Sequence, residues 1–184
     1  MSVPIRVILV MGVSGVGKST LGSALASALG PPWVFVEGDA FHPEANIRKM
    51  SAGVALGDED RWPWLEALRR RIDEGLARGE SVVLACSALK RLYRERLLEG
   101  LPAPGALVAF MVSGAPAIRE AMRARQGAHF MPAALLDSQL AALEPPLDDE
   151  PWIGALVEVP AYQPVAAQVG LVRVGLARPG RGLR

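Results

Sequence analysis

The sequence predicts an α/β protein in which a parallel β-sheet carries helices on both faces, giving three layers. Short apolar runs alternate along the 184 residues with segments of helical periodicity, and the runs are continuously apolar rather than alternating in polarity. Strands that are covered on both faces need such runs, because both sides of each strand are buried. Since 51% of the residues are hydrophobic, the chain can build a sizeable core, and its length suggests one domain over residues 1–176.

The strands follow from the apolar runs. The first run, Val7-Ile8-Leu9-Val10-Met11, ends at a glycine-rich loop, as expected of a buried strand that feeds a ligand-binding turn. We expect five strands, near residues 5–11, 33–37, 81–86, 106–112 and 155–159.

Helical segments occupy most of the chain between these runs. The first begins where the glycine-rich loop ends, and it stops at Gly30-Pro31-Pro32, a strong helix terminator. The basic residues 177–184 are expected to form a disordered tail. The expected helices lie near residues 18–29, 43–52, 60–78, 88–99, 115–125, 132–142 and 163–176.

Residues 12–19 read G-V-S-G-V-G-K-S and match the G-x-x-x-x-G-K-[ST] phosphate loop, between a predicted strand and a predicted helix. Glycines let the backbone wrap around a polyphosphate, and the N-terminus of the helix attracts the same anion. Lys18 is expected to reach the β- and γ-phosphates, and Ser19 is expected to offer its hydroxyl to Mg²⁺. The expected nucleotide-binding residues are Gly12, Val13, Ser14, Gly15, Val16, Gly17, Lys18, Ser19 and Thr20.

A dinucleotide-binding turn is the alternative for the same loop. The glycines loosely resemble one, and Glu37 follows about 20 residues on, where such folds place a ribose-binding acid. The spacing is not G-x-G-x-x-G, however, and Lys18 and Ser19 have no role in that scheme. The pattern therefore favours a nucleoside triphosphate over a nicotinamide cofactor.

Composition argues against several classes of partner. The formal net charge is +1, so no broad basic field indicates a nucleic acid or a membrane surface. No apolar stretch is long enough to predict a membrane span. The single cysteine, Cys86, excludes a disulfide framework. We expect a cytoplasmic protein in which Cys86 is a small buried hydrophobic residue.

Two carboxylates close the second predicted strand. Ligands of open parallel sheets bind outside the carboxyl ends of the strands, so Glu37 and Asp39 are expected to face the phosphate loop. We expect Glu37 to bind Mg²⁺, either directly or through water. We expect Asp39 to orient an acceptor hydroxyl and take its proton. A helix cap or a turn is the alternative for Asp39. Since the chain lacks N-K-x-D and D-x-x-G motifs, the sequence favours a small-molecule kinase over a GTPase switch.

Further segments carry a more specific signal: residues 11–20, 37–50 with its G-D-x-x-H-P motif, 56–65, 86–90 (C-S-A-L-K) and 129–146. Together they resemble the gluconokinase family, small kinases that phosphorylate D-gluconate at its 6-hydroxyl with ATP. The resemblance covers residues 7 to about 146. It implies a nucleoside-monophosphate-kinase-like fold with a five-stranded parallel sheet and a lid near residues 125–133. Relatives of this kind are often homodimers.

The resemblance also implies a site for a polyol that carries one carboxylate. Arg61 and Lys90 are the expected carboxylate contacts, because a buried carboxylate calls for charge-assisted partners. Arg48 is a further candidate that a solvated helix face explains equally well. Trp62 and Trp64 are expected to pack in the core rather than to form a sugar platform. The other expected substrate contacts are Asp39, His42 and His129.

The lid departs from the family pattern. Arg125 fits the second of two expected arginines, and we expect it to stabilise the transferring phosphate as a catalytic residue. Ala121 stands where the first arginine is expected, and one extra residue precedes His129. Arg119 and Arg123 are the alternatives for a lid arginine. A further departure is Gly57, which stands where the family usually has Asn.

The sequence allows three alternatives to a gluconokinase. One is another small-molecule kinase, of the shikimate-kinase type, which the G-D-x-x-H-P and C-S-A-L-K segments disfavour. A second is a catalytically impaired nucleotide-binding regulator, which the altered lid allows. A third is a nicotinamide-dependent oxidoreductase, which Lys18 and Ser19 disfavour.

Overall fold

The computed structural model describes residues 4–102, 104–124 and 133–178. Five strands in these ranges form one sheet: β1 (Val7–Met11), β2 (Trp33–Glu37), β3 (Ser81–Ala85), β4 (Ala106–Val112) and β5 (Ile153–Pro160). The strands are parallel and stand in the order β2-β3-β1-β4-β5, so that β1 lies at the centre. The predicted parallel α/β fold is confirmed, and each strand overlaps its expected range.

Within the described ranges, α-helices connect the strands, together with one short 3-10 turn over Gly38–Phe41. All the expected helices are present, and the 3-10 turn contains Asp39, for which a turn was the alternative. The helices are α1 (Lys18–Leu29), α2 (Glu44–Ser51), α3 (Asp58–Ala77), α4 (Arg91–Leu98), α5 (Ala115–Ala124), α6 (Ala133–Ala142) and α7 (Val165–Ala177).

The start of α4 differs from the prediction, which placed it near residue 88. Ala88 has a left-handed backbone with φ of 43°, and Lys90, the residue before the helix, is extended. The guanidinium of Arg94 donates to the backbone oxygens of Ala88 and Leu89 from within the helix. These bonds stabilise the preceding loop in a non-helical conformation, so α4 begins only at Arg91.

Two apolar cores cover the faces of the sheet. Successive β1 residues point to opposite faces, because side chains alternate along a strand. Ile8 and Val10 pack in the core that contains buried residues of α1 and α7, whereas Leu9 and Met11 pack in the core that contains buried residues of α3 and α4. The β1 side chains are all at most 2% exposed, which explains why the strand sequence is continuously apolar.

The carboxyl ends of the central strands meet at one edge of the sheet. Glu37 at the end of β2 pairs in register with Ala85, which in turn pairs with Val10 of β1. The backbone N–H of Gly12, just past β1, donates to the carbonyl of Ser87, just past β3, over 3.4 Å. The phosphate loop, Glu37 and Ser87 are therefore brought to the same edge.

Some expectations concern residues outside the described ranges. Arg125 and His129 lie there, as does the lid over about 125–133 apart from its last residue. Residues 179–184 of the expected tail also lie outside, while Ala177 ends α7. Among the described helices, none is long and apolar enough to cross a membrane.

Candidate active site

The loop between β1 and α1 has the backbone that a phosphate loop requires. Gly12, Gly15 and Gly17 have φ of 145°, 86° and 100°, a region that other residues rarely adopt. A Cβ atom on Gly12 would also lie only 2.9 Å from the backbone oxygen of Met111. Gly17 provides no side-chain cap to α1, so the first N–H groups of the helix point to an anion site.

Lys18 is the first residue of α1, where this loop ends. Its Nζ donates to the backbone oxygen of Val13 over 3.1 Å, which holds the ammonium against the loop. Burial lowers the pKa of Lys18, while the negative charge of Asp39 and then that of Glu37 act in the opposite direction. Lys18, Glu37 at the end of β2 and Asp39 just after it therefore lie close enough for their charges to interact.

A cleft opens between the phosphate loop and the segments that follow β2 and β3. It brings together residues that stand far apart in the sequence, including most of those expected to act on the two substrates. Its lining consists of Ser14, Lys18, Asp39, His42, Met50, Ala55, Leu56, Arg61, Ser87, Leu135, Ser138 and Gln139.

Asp39 is held at the cleft by the 3-10 turn that follows β2. Gly38 fits closely beneath it, since a Cβ there would lie 2.4 Å from the backbone oxygen of Ala85. The carbonyl of Gly38 accepts a 2.8 Å hydrogen bond from Nε1 of Trp64, which fixes the turn to α3. The Asp39 side chain itself is 75% exposed, so its carboxylate is presented to the cleft on a rigid backbone.

His42 stands beside Asp39 and is mostly buried. Its ring stacks on Trp64 with centroids 4.2 Å apart and 15° between the planes. Burial lowers the pKa of His42. Trp64 is fully buried, and the rings of Trp62 and Tyr93 pack edge to face with their centroids 6.1 Å apart. Core packing was expected for both tryptophans; the structure places Trp64 in the core and Trp62, partly buried, against it.

The basic residues expected to bind substrate have different surroundings. Arg61 lines the cleft, and its guanidinium carbon lies 5.6 Å from the centre of the Tyr93 ring. Lys90 forms a 2.7 Å ion pair with Asp58 and is not among the residues that line the cleft. Arg48 is exposed and pairs with Glu44 on the same face of α2. In the described part of the chain, Arg61 makes no ion pair.

Asp58 connects Lys90 with Tyr93. Its Oδ1 accepts from both the Lys90 ammonium and the Tyr93 hydroxyl. These hydrogen bonds, the one from Lys90 foremost, lower the pKa of the Asp58 carboxyl. Burial, together with the bond to Asp58, raises the pKa of Tyr93. The arrangement holds Tyr93 as a fixed neutral ring between Lys90 and Arg61.

The α6 side of the cleft was not foreseen from the sequence. Gln139 makes two reciprocal hydrogen bonds to Ser14 of the phosphate loop. Its Oε1 accepts from the backbone N–H of Ser14 over 2.7 Å, and its Nε2 donates to the Ser14 hydroxyl over 3.0 Å. The helical pattern over 132–142 indicated α6 but gave no sign of which residue would contact the loop.

Gly57, which stands where the family usually has Asn, is the residue just before α3. Its N–H donates to Oδ2 of Asp60 over 2.9 Å, and its φ of −79° is open to any residue. Lys49 of α2 donates to the other carboxylate oxygen of Asp60 over 2.6 Å. The glycine therefore has no conformational requirement here, and Asp60 satisfies its amide.

Two residues fit the expected magnesium site. Ser19 is an exposed hydroxyl in the first turn of α1, and Glu37 ends β2 at the same edge of the sheet. The described ranges contain no group of three or more His, Cys, Asp or Glu residues able to hold a metal ion. Mg²⁺ at nucleotide sites needs no such group, because phosphate oxygens and waters supply most of its ligands. A hydroxyl and a carboxylate are oxygen donors of the right kind.

The sequence matches the family model of the AAA domain over residues 7–146. A gluconokinase of Gluconobacter oxydans is 50% identical over 148 residues, which make up 80% of each chain. A probable gluconokinase of Mus musculus is 43% identical over 167 residues, 83% of this chain and 89% of the relative. The thermosensitive gluconokinase of Escherichia coli is 44% identical over 142 residues, 77% of this chain and 73% of the relative.

Two solved structures of kinases are similar to this chain over nearly its whole length. The crystal structure of a gluconokinase from Sinorhizobium meliloti 1021 is similar with a TM-score of 0.80 and 47% identity, and the match covers 97% of this chain and 94% of that one. The unliganded structure of a sugar kinase from Janibacter sp. HTCC2649 is similar with a TM-score of 0.81 and 40% identity, over 95% of each chain.

Proposed function

The chain belongs to the gluconokinase family, and we propose that its cleft transfers the γ-phosphoryl group of ATP to the 6-hydroxyl of D-gluconate. It is a kinase by family, and use of ATP follows from that membership. The products are 6-phospho-D-gluconate and ADP. The observation that carries the proposal is the single cleft that Lys18 and Asp39 both line.

Lys18 and the phosphate loop bind the donor. The loop's backbone N–H groups and the N-terminus of α1 hold the polyphosphate, and the Lys18 ammonium neutralises charge on the β- and γ-phosphates. Lys18 already lies against the loop through Val13. Little reorganisation is then needed when the phosphates bind, which favours transition-state stabilisation by fixed charges.

Asp39 acts on the acceptor as a catalytic residue. Its carboxylate accepts a hydrogen bond from the attacking hydroxyl, aligns the oxygen with the phosphorus and takes the proton late in the transfer. Its exposed side chain on a fixed turn suits this role, because the carboxylate can reach an incoming alcohol while the backbone stays in place.

Mg²⁺ completes the donor site in this proposal. Ser19 and Glu37 would hold it, Glu37 either directly or through water. When bound, the ion neutralises phosphate charge and orients the γ-phosphoryl group.

Arg61 is proposed to receive the gluconate carboxylate. It is a guanidinium at the cleft with an aromatic ring beneath it and, among the described residues, no ion-pair partner. Arg48, Lys90 and His129 remain predicted substrate contacts, and Arg125 remains the predicted lid arginine. A homodimer and a cytoplasmic location also stay predictions.

The test is a substrate panel in a coupled assay of ADP release. We expect turnover with ATP and D-gluconate, and a product whose mass and NMR spectrum place one phosphate on the 6-oxygen. Shikimate and other sugar acids serve as competitors. Lys18→Ala is the control, since it removes phosphate charge neutralisation and should abolish turnover. ATP binding without gluconate-dependent ADP release would contradict the proposal, as would faster turnover of shikimate.

A further inference from the structure

Asn46 is a polar side chain buried almost completely, with 3% of its surface exposed. It lies in α2, one helical turn after His42. Its amide nitrogen Nδ2 lies 2.7 Å from the backbone oxygen of Asp60 and 3.4 Å from Nδ1 of His42. Asn46 therefore connects the start of α3 with the histidine at the cleft.

These two contacts determine where the proton of His42 lies. A backbone carbonyl oxygen only accepts hydrogen bonds, so the Asn46 atom that faces Asp60 is the amide nitrogen, which has two protons to donate. One proton is donated to Asp60, and the other points at Nδ1 of His42, which must therefore accept. In a neutral imidazole whose Nδ1 accepts, the proton is on Nε2.

The ring of His42 is neutral because of its surroundings. It is stacked on Trp64, and only 5% of its side chain is exposed. Burial lowers the pKa of His42 below its ordinary value; the Asp39 carboxylate opposes this effect, and the Arg61 guanidinium adds to it. A neutral ring with a proton on Nε2 has one donor, and Nε2 is the atom that faces Oδ1 of Asp39 at 4.0 Å.

We propose that Asn46 and His42 are positioning residues for Asp39. Asn46 sets the Nε2–H tautomer of His42, and that N–H holds one oxygen of the Asp39 carboxylate, which leaves the other oxygen for the acceptor hydroxyl. The inference rests on the proposed role of Asp39. It differs from a direct hydrogen bond between His42 and the sugar, which is an alternative outcome of the experiments below.

The distances allow this arrangement with a small movement. At 4.0 Å the pair of His42 and Asp39 is longer than a hydrogen bond, so contact requires an approach of about 1 Å. The Asp39 side chain is 75% exposed and can make that movement by a change of side-chain torsion, while the His42 ring stays fixed against Trp64. Catalytic hydrogen bonds commonly shorten in this way when substrate binds.

The tautomer can be measured directly by nitrogen NMR of the histidine side chains. The chain has two histidines, and His129→Gln assigns the signals. We expect His42 in the Nε2–H form at pH 7, titrating below the ordinary value. Asn46→Leu removes the donor that faces Nδ1 and introduces no charge, so the Nδ1–H form should become detectable in that variant. An Nδ1–H tautomer in the unmodified chain would overturn the proposal, and so would an unchanged tautomer ratio in Asn46→Leu.

Kinetics separate positioning from substrate binding. His42→Phe keeps a ring on Trp64 but has no N–H, so kcat should fall roughly 10-fold while KM for gluconate stays within about twofold. His42→Gln, whose terminal amide can donate, should recover part of the loss. A rise in KM with kcat unchanged would mean that His42 binds the sugar, and would overturn the proposal.

A double-mutant cycle distinguishes failure of this inference from failure of the proposed function. If His42 acts through Asp39, His42→Phe should cause no further loss of kcat in an Asp39→Asn background. Independent, multiplicative losses would overturn the positioning role and leave the role of Asp39 intact. Full activity of Asp39→Asn alone would contradict the proposed catalytic role of Asp39. His42 would then have no catalytic carboxylate to position, whichever tautomer NMR reports.

Discussion

Arg61 differs from the other basic side chains of α2 and the following helix in what surrounds it. Arg48 pairs with Glu44 on an exposed surface, and Lys49 pairs with Asp60. Arg61 instead lies at the cleft over the Tyr93 ring. A guanidinium on an aromatic face keeps all its donors directed outward, which suits bidentate binding of a carboxylate.

We therefore expect Arg61→Ala to raise KM for gluconate by about 10-fold or more, the loss expected for a hydrogen bond to a charged group. KM for ATP should change by less than about twofold. Arg96→Ala is the matched control, because it removes the same charge from an exposed pair with Glu66 that does not line the cleft, and both constants should remain unchanged. Steady-state kinetics with each substrate varied measures this. An effect of Arg61→Ala on ATP larger than that on gluconate would place Arg61 at the nucleotide.

At the residue scale, local spacing predicts some site residues and not others. Lys18 and Asp39 could be placed from the sequence, because a phosphate loop and the end of a neighbouring strand must share one edge of a parallel sheet. Gln139 could not, since its hydrogen bonds reach Ser14 across 125 positions. Asn46 reads as an ordinary helix residue until the packing of α2 against α3 makes it buried.

At the scale of elements, a buried ion pair joins α4 to the loop that follows α6. Arg94 and Glu150 are each 1% exposed, with Nε donating to Oε2 over 2.9 Å. Arg94 also donates to the backbone oxygens of Ala88 and Glu144, and Glu150 accepts from Nε1 of Trp152. The pair thus fixes the loop between β3 and α4, which includes Ser87 at the cleft.

Glu150→Ala should lower the free energy of unfolding by about 3–5 kcal/mol, because it leaves the Arg94 guanidinium buried without its counter-charge. Glu66→Ala is the control: it breaks the Arg96 pair on the same helix, where both partners are about half exposed, and should cost less than about 1 kcal/mol. Urea unfolding measures both. Equal urea midpoints for Glu150→Ala and Glu66→Ala would show that the buried pair of Arg94 and Glu150 does not stabilise the fold.

The same pair explains why the start of α4 was predicted too early. Residues 88–90 have the composition of a helix, and local propensity predicted one. Three hydrogen bonds from Arg94, which reach across the loop and to Glu144, override that propensity. The turn at Asp39 was only an alternative from the sequence for a similar reason, since it depends on the close approach of Gly38 to Ala85.

For the whole molecule, the sheet is the rigid part that holds the cleft. The strand pattern was predictable because a short, continuously apolar run is typical of a strand that is buried on both faces of a parallel sheet. The reactivity of Cys86 can test this rigidity, because the residue is fully buried just past β3. Burial raises its pKa to about 12. At pH 8 nearly all of the thiol is therefore protonated, and the thiolate is the form that reacts.

Cys86 in the native protein should therefore react very slowly with a thiol reagent at pH 8. In denaturant it should react rapidly, and each chain should consume one equivalent of reagent. Labelling in the native state should slow further with ATP, because a ligand that binds only the folded chain reduces opening. Ser27→Cys adds an exposed thiol on α1 and should label rapidly, as a control for the reagent. Fast labelling of Cys86 in the native protein would contradict the burial of this sheet edge.

The central claim is that donor phosphate and acceptor hydroxyl meet between Lys18 and Asp39, and Asp39→Asn tests it most directly. The variant keeps the size of the side chain but cannot take the proton, so kcat with gluconate should fall at least about 10²-fold. The dissociation constant for ATP should stay within about twofold, and Asp148→Asn, an exposed loop substitution, should match the unmodified chain. Turnover of Asp39→Asn close to that of the unmodified chain would contradict the account.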